Sequence, residues 1–138
     1  MGIFLDTGFI LAFRNIKDEN FHVTQEYMKG FLKNEFGQIV TSTFVFDELV
    51  TLTLVRTKSF TFAIDIFAFI LESSRIKIIE VNHEDFANAW IRFQRLSEIR
   101  LSFTDCTIIV QCERLGIENL ATIDKHFKGL INIVPPQE

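Results

Sequence analysis

The chain has 138 residues, 48% hydrophobic and 23% charged, with a formal net charge of −4. This balance points to one globular domain with a buried core and argues against disorder. A globally acidic chain does not advertise nucleic-acid binding, although a bound cation or a local basic rim can reverse the field at one place.

The first apolar run, Ile3-Phe4-Leu5, reads as a buried strand that ends on Asp6-Thr7. A short helical turn follows over Gly8 to Arg14. Phe21, Met28, Phe31 and Leu32 recur at helical spacing, which predicts an amphipathic helix over roughly Asn20 to Asn34. Gly37 closes it and Ile39-Val40 forms a second strand. Ser42 or Thr43 can cap the next helix, which runs to about Thr57. Ser59 can cap another over Phe60 to Glu72. Lys77 to Val81 alternates as a third strand, and Asn82 can cap a helix through about Glu98. Thr104 to Leu115 is a helix ended by Gly116. Leu120-Ala121-Thr122 and Ile131 to Val134 are the last strands, the second stopped by Pro135-Pro136. Strands alternating with helices predict a three-layer α/β/α fold, with a central, mostly parallel sheet of four or five strands.

Cys106 and Cys112 have the wrong pattern for a zinc site or a disulfide framework. No signal-peptide pattern opens the chain and no apolar run is long enough to span a bilayer. The expectation is therefore a reduced, cytoplasmic setting. Phe occurs 16 times, more than a core of this size needs, so some rings are expected to face a partner.

Acids recur at the ends of the apolar elements. In open α/β sheets, sites form beyond the carboxyl ends of the strands, where Asp6 and Asp124 belong. Asp6 could equally cap a turn. Asp105 fits a capping box, Ser102-Phe103-Thr104-Asp105, yet its helical neighbours are Ile108 and Ile109. Glu48 shares a face with Phe44, Val45 and Leu52, whereas Asp47 can point to water. A carboxylate on that face needs a cation or a salt bridge, for which Arg56 is a candidate. Asp65 also has apolar neighbours, Phe62 and Phe69, but no other site signal. Apolar neighbours alone are therefore weak evidence.

Taken together, these pieces resemble the PIN-domain family, in particular its small VapC-type toxins. The matching segments are Phe4-Leu5-Asp6-Thr7, Asp18 to His22 at the start of the second helix, Asp47-Glu48-Leu49, Ser102 to Asp105, and Ala121 to Phe127. The resemblance implies a metal site of Asp6, Glu48, Asp105 and Asp124, binding Mg2+ or Mn2+, with Thr7, Ser102, Thr104 and Thr122 close by. It implies structural roles for His22 and His126. It also implies RNA cleavage by phosphodiester hydrolysis and a cognate antitoxin. Hard oxygen donors without His or Cys suit Mg2+ or Mn2+ better than zinc.

Arg14, Lys17, Arg56, Lys58, Arg100 and Lys125 lie near the site-side loops and are candidate phosphate contacts. The phenylalanine-rich middle helices suggest a homodimer seam or an antitoxin groove. The competing expectation is a PIN-like RNA- or protein-binding scaffold without turnover. A phosphoacceptor receiver domain would need paired acids after the first strand. A haloacid-dehalogenase-like phosphatase would need a second Asp where Gly8 stands.

Overall fold

The computed structural model describes residues 1–137. Five parallel strands form one sheet in the order β3-β2-β1-β4-β5. They are β1 (Ile3–Leu5), β2 (Ile39–Ser42), β3 (Ile76–Ile79), β4 (Asn119–Ala121) and β5 (Asn132–Val134). The helices are α1 (Thr7–Arg14), α2 (Phe21–Leu32), α3 (Thr43–Thr57), α4 (Phe60–Glu72), α5 (His83–Arg95) and α6 (Phe103–Leu115). Short 3-10 turns cover Ser97–Ile99 and Lys125–Phe127. The result is the expected three-layer α/β/α architecture.

The strands are short and mostly apolar because both faces of the sheet are covered. Ile3, Phe4, Leu5 and Leu120 are completely buried, and Phe9, Phe31 and Phe127 pack around them. From β1 the chain winds outward through β2 and β3, then returns to the other side of β1 for β4 and β5. The winding therefore reverses between β1 and β4, and a crevice opens beyond their carboxyl ends. The Asp6 N–H donates to the Ala121 carbonyl at 3.1 Å and holds the two strand ends together.

The expected caps largely form. Ser42 accepts from the Val45 N–H at 3.2 Å and Ser59 from the Phe62 N–H at 3.1 Å. Gly116 ends α6 at φ 68°, a left-handed conformation that suits glycine. Several boundaries shift from expectation; the third strand, for example, is Ile76–Ile79 rather than Lys77 to Val81. The helix after Asn82 stops at Arg95 rather than Glu98, and the chain leaves through a 3-10 turn to a left-handed Arg100. Asn20 caps nothing with its side chain, and the turn before α2 is instead tied by Asp18 to the Asn20 N–H at 2.8 Å.

A buried ion pair locks α5 to α6. Asp85 is fully buried and accepts two hydrogen bonds from Arg114, at 2.8 and 2.9 Å. Gln111 adds a third at 3.2 Å, and Asp85 also closes a capping box with Asn82. The Arg114 hydrogen bonds outweigh burial and hold the Asp85 carboxyl below its usual range. The pair is thus fully formed at neutral pH and is lost as pH falls through the depressed pKa. The half-exposed guanidinium tempers its worth. Arg114→Met is expected to cost about 2 kcal/mol at pH 7. In urea titrations, the gap between wild type and variant should narrow as pH drops below about 4.

Candidate active site

Asp6, Glu48, Asp105 and Asp124 line one cavity of about 410 Å3 at the β1–β4 crevice, with Thr7, Gly8, Leu52, Arg56, Ser102 and Ile123. Each acid arrives on a different element. Asp6 is the first residue past β1, and Asp105 lies in the first turn of α6. Asp124 precedes the turn after β4. Glu48 sits one turn into α3, whose start is fixed by the Ser42 cap and by a 3.0 Å hydrogen bond from the Thr41 hydroxyl to the Leu5 carbonyl.

Three of these acids also cap backbone. Asp6 Oδ1 accepts from the Phe9 N–H at 2.8 Å. Asp105 Oδ2 accepts from the Ser102 N–H at 3.0 Å, while the Ser102 hydroxyl accepts from the Asp105 N–H at 3.0 Å. Asp124 Oδ1 accepts from the His126 N–H at 2.9 Å and lies 2.7 Å from His126 Nδ1. Capping and site-lining are therefore compatible. One carboxylate oxygen holds the turn, which fixes the side chain, and the other oxygen is spared by that bond.

Glu48 makes no ion pair with Arg56. Both residues line the cavity with Leu52, on a stripe at i, i+4 and i+8 of α3. Eight residues rise about 12 Å along a helix, too far for a direct contact between residues on one straight stripe. Asp47 is exposed. Asp65 does find a partner: Arg14 donates to it at 2.8 Å and lies 4.3 Å from the centre of the Phe69 ring.

Burial and like charge strain two of these acids, Asp6 and Asp105. Burial pushes the Asp6 carboxyl up to about 7, and the charges of Asp105 and Asp124 add to it. The Thr122 hydroxyl and the Phe9 N–H pull the other way. Burial likewise pushes Asp105 up to about 6, opposed by Ser102 and reinforced by Glu48 and Asp124.

The donor set fits an oxygen-preferring divalent ion. The Thr7 hydroxyl is also buried at this cavity, with no hydrogen-bond partner among the described residues. Among the described residues, no group of three or more Asp, Glu, His or Cys side chains is placed to hold a metal ion between them.

The remaining expected site residues are spread more widely. Thr122 is buried against Asp6, and its hydroxyl accepts from the Asp124 N–H at 3.0 Å. Thr104 does not line the cavity, although its carbonyl accepts from the Thr107 hydroxyl at 2.6 Å. Among the candidate phosphate contacts, only Arg56 reaches the acidic cavity. Arg14 is held by Asp65, and with Lys17 it lines a neighbouring cleft. Lys58, Arg100 and Lys125 line neither. The cleft itself was not legible in the sequence, because it forms only when the α1–α2 connection packs against α3 and α4. His22 packs edge-on against Phe21.

The PIN domain family model matches residues 3–130. Among solved structures, VapC20 of Mycobacterium tuberculosis, a toxin that cleaves the sarcin–ricin loop, is 26% identical. It superposes with a TM-score of 0.79 over 91% of this chain and 92% of that one. VapBC2 from Rickettsia felis, bound to a DNA fragment from its promoter, is 19% identical, with a TM-score of 0.66 over 96% and 97% of the two chains. FitAcB from Neisseria gonorrhoeae is 14% identical, with a TM-score of 0.65 over 95% of each. The last two likenesses bear on the fold alone. No curated protein matches the chain. The chain belongs to the PIN-domain family, and its fold is that of the VapC-type toxins.

The raised carboxyls make a testable pH signature. With cations removed, Asp6 contributes no strain below its ordinary pKa of 3.8, and stability is lost as pH rises through about 7. Asp6→Asn keeps an oxygen to cap Phe9 but carries no charge. At pH 8 in EDTA it should exceed wild type by at least about 1 kcal/mol in urea titrations, and the gap should vanish near pH 4.

Proposed function

We propose that this protein is a Mg2+- or Mn2+-dependent endoribonuclease and the toxin of a toxin–antitoxin pair. The observation that carries the reading is the gathering of Asp6, Glu48, Asp105 and Asp124 on one cavity at the point where the sheet reverses its winding. Membership of the PIN-domain family and the likeness to VapC20 support it.

In this reading Asp6 and Asp105 are the main ligands, and Glu48 and Asp124 hold water or a second ion. A divalent ion there would activate water and offset charge at the scissile phosphate. The chain's own residues do the positioning. Phe9, Ser102 and His126 fix the acids through their N–H groups, and Thr122 orients Asp6. The orphan Thr7 hydroxyl can donate to or accept from a ligand in the cavity. Arg56 supplies positive charge at its edge for a phosphate.

Because VapC20 acts on the sarcin–ricin loop, an RNA stem-loop is the first substrate to test. The partner of this reading is an antitoxin that covers the site, and the setting is cytoplasmic. Phe60, Ile64 and Leu71 are exposed on α4 and offer an apolar face for the antitoxin or for a homodimer. No helix among the described residues is long and apolar enough to cross a membrane. That no group of three acids among the described residues is placed to hold an ion favours the rival, a PIN-like scaffold without turnover.

Cleavage of a labelled RNA stem-loop separates the two. Wild type should cut it with Mg2+ or Mn2+ and stop in EDTA, and Asp105→Asn should be slower by about 100-fold or more. Equal cleavage by Asp105→Asn would remove Asp105 from the site. No cleavage with either ion would favour the scaffold.

A further inference from the structure

Asp124 lines the acidic cavity with a side chain that is 39% exposed, so burial does little to fix it there. Hydrogen bonds do so instead. The Asp124 N–H donates to the Thr122 hydroxyl at 3.0 Å, and Oδ1 accepts from the His126 N–H at 2.9 Å. Neither bond involves the side chain of residue 126. The third contact does: the same Oδ1 lies 2.7 Å from His126 Nδ1. A carboxylate oxygen only accepts, so the ring proton of this pair belongs on Nδ1.

The ring is not needed to close the turn. The His126 backbone N–H already caps it, and any residue but proline would supply that bond. The turn is anchored by Phe127, which is completely buried, and by the Lys128 N–H donating to the Lys125 carbonyl at 2.9 Å. The imidazole itself is 54% exposed and adds little to stability. Its contact does something else. It places a second donor on Oδ1, while Oδ2 of Asp124 has no hydrogen bond among the described residues.

We propose that His126 is a positioning residue for the acidic site: its Nδ1–H pins Oδ1 of Asp124 and so presents Oδ2 to the cavity. The assignment rests on the divalent-ion reading of the site and adds to it a residue outside the four acids. A hydrogen-bonded partner of this kind sets the orientation of a ligand without touching the ion.

Two substitutions separate the ring nitrogens. The amide nitrogen of asparagine reaches about as far as Nδ1 of histidine, and that of glutamine about as far as Nε2. His126→Asn therefore keeps the donor, and His126→Gln moves it away from Oδ1. In titrations of Mn2+ followed by electron paramagnetic resonance, His126→Gln should weaken binding about fivefold, and His126→Asn should stay within about twofold of wild type. On an Asp124→Asn background, His126→Gln should cost nothing further, because the acid it orients is gone. Both single variants should melt with wild type in EDTA. If His126→Gln melts early, binds Mn2+ no worse than His126→Asn, or still loses affinity on the Asp124→Asn background, the ring does not act through Asp124. The proposal then falls while the acidic site stands. If wild type binds no Mn2+, both fall.

Discussion

The site depends on carboxylates that are at once backbone caps and cavity walls. Asp6 shows the constraint most clearly. It must end β1, start α1 through the Phe9 N–H, and carry a charge where it is only 6% exposed. A side chain that merely capped could stand in water. One that merely carried charge could be flexible. Here the hydrogen bond fixes the carboxylate and burial makes its charge costly, so the fold stabilises the turn while straining the acid. Asp105 repeats the arrangement from α6, whereas Asp124 caps the turn after β4 from a more exposed position. Fixed and crowded on one cavity, carboxylates repel one another when all are ionised.

The sheet order supplies the convergence. Because β1 and β4 are neighbours at the reversal point, residues 118 positions apart in sequence, Asp6 and Asp124, meet beyond adjacent strand ends. The Asp85–Arg114 pair supports the same geometry from below. It holds α6 against α5, and α6 carries Asp105 at its other end. Stability and site placement are thus coupled through one helix.

Most of the fold was legible in the sequence because its signals are local. Buried strands, Ser caps and Gly116 each act within a few residues. The helix end after Arg95 was not, because the apolar pattern continues into a 3-10 turn that backbone geometry, not periodicity, decides. The acids of the cavity were legible as a set, but whether each was a cap or a ligand looked like a choice. For Asp6, Asp105 and Asp124, capping does not prevent lining the cavity, since a carboxylate has two oxygens. The Glu48–Arg56 salt bridge, a candidate from the sequence, does not form, because eight residues of helix separate the two. Asp65 looked like a carboxylate without a role, and its partner Arg14 lies 51 positions away. The basic cleft and the Asp85 network were not legible for the same reason: both need contacts between distant elements. For Asp85, the Asn82-x-x-Asp85 capping pattern was a local clue, but it does not reveal Arg114.

The central claim is that the four acids lining the cavity act together on one divalent-ion site. Titration of Mn2+ followed by electron paramagnetic resonance measures this without reference to any substrate. Wild type should bind Mn2+, and Asp6→Asn and Asp105→Asn should each weaken binding by about tenfold or more, with smaller losses for Glu48→Gln and Asp124→Asn. Mn2+ affinity unchanged in both Asp6→Asn and Asp105→Asn would contradict the account.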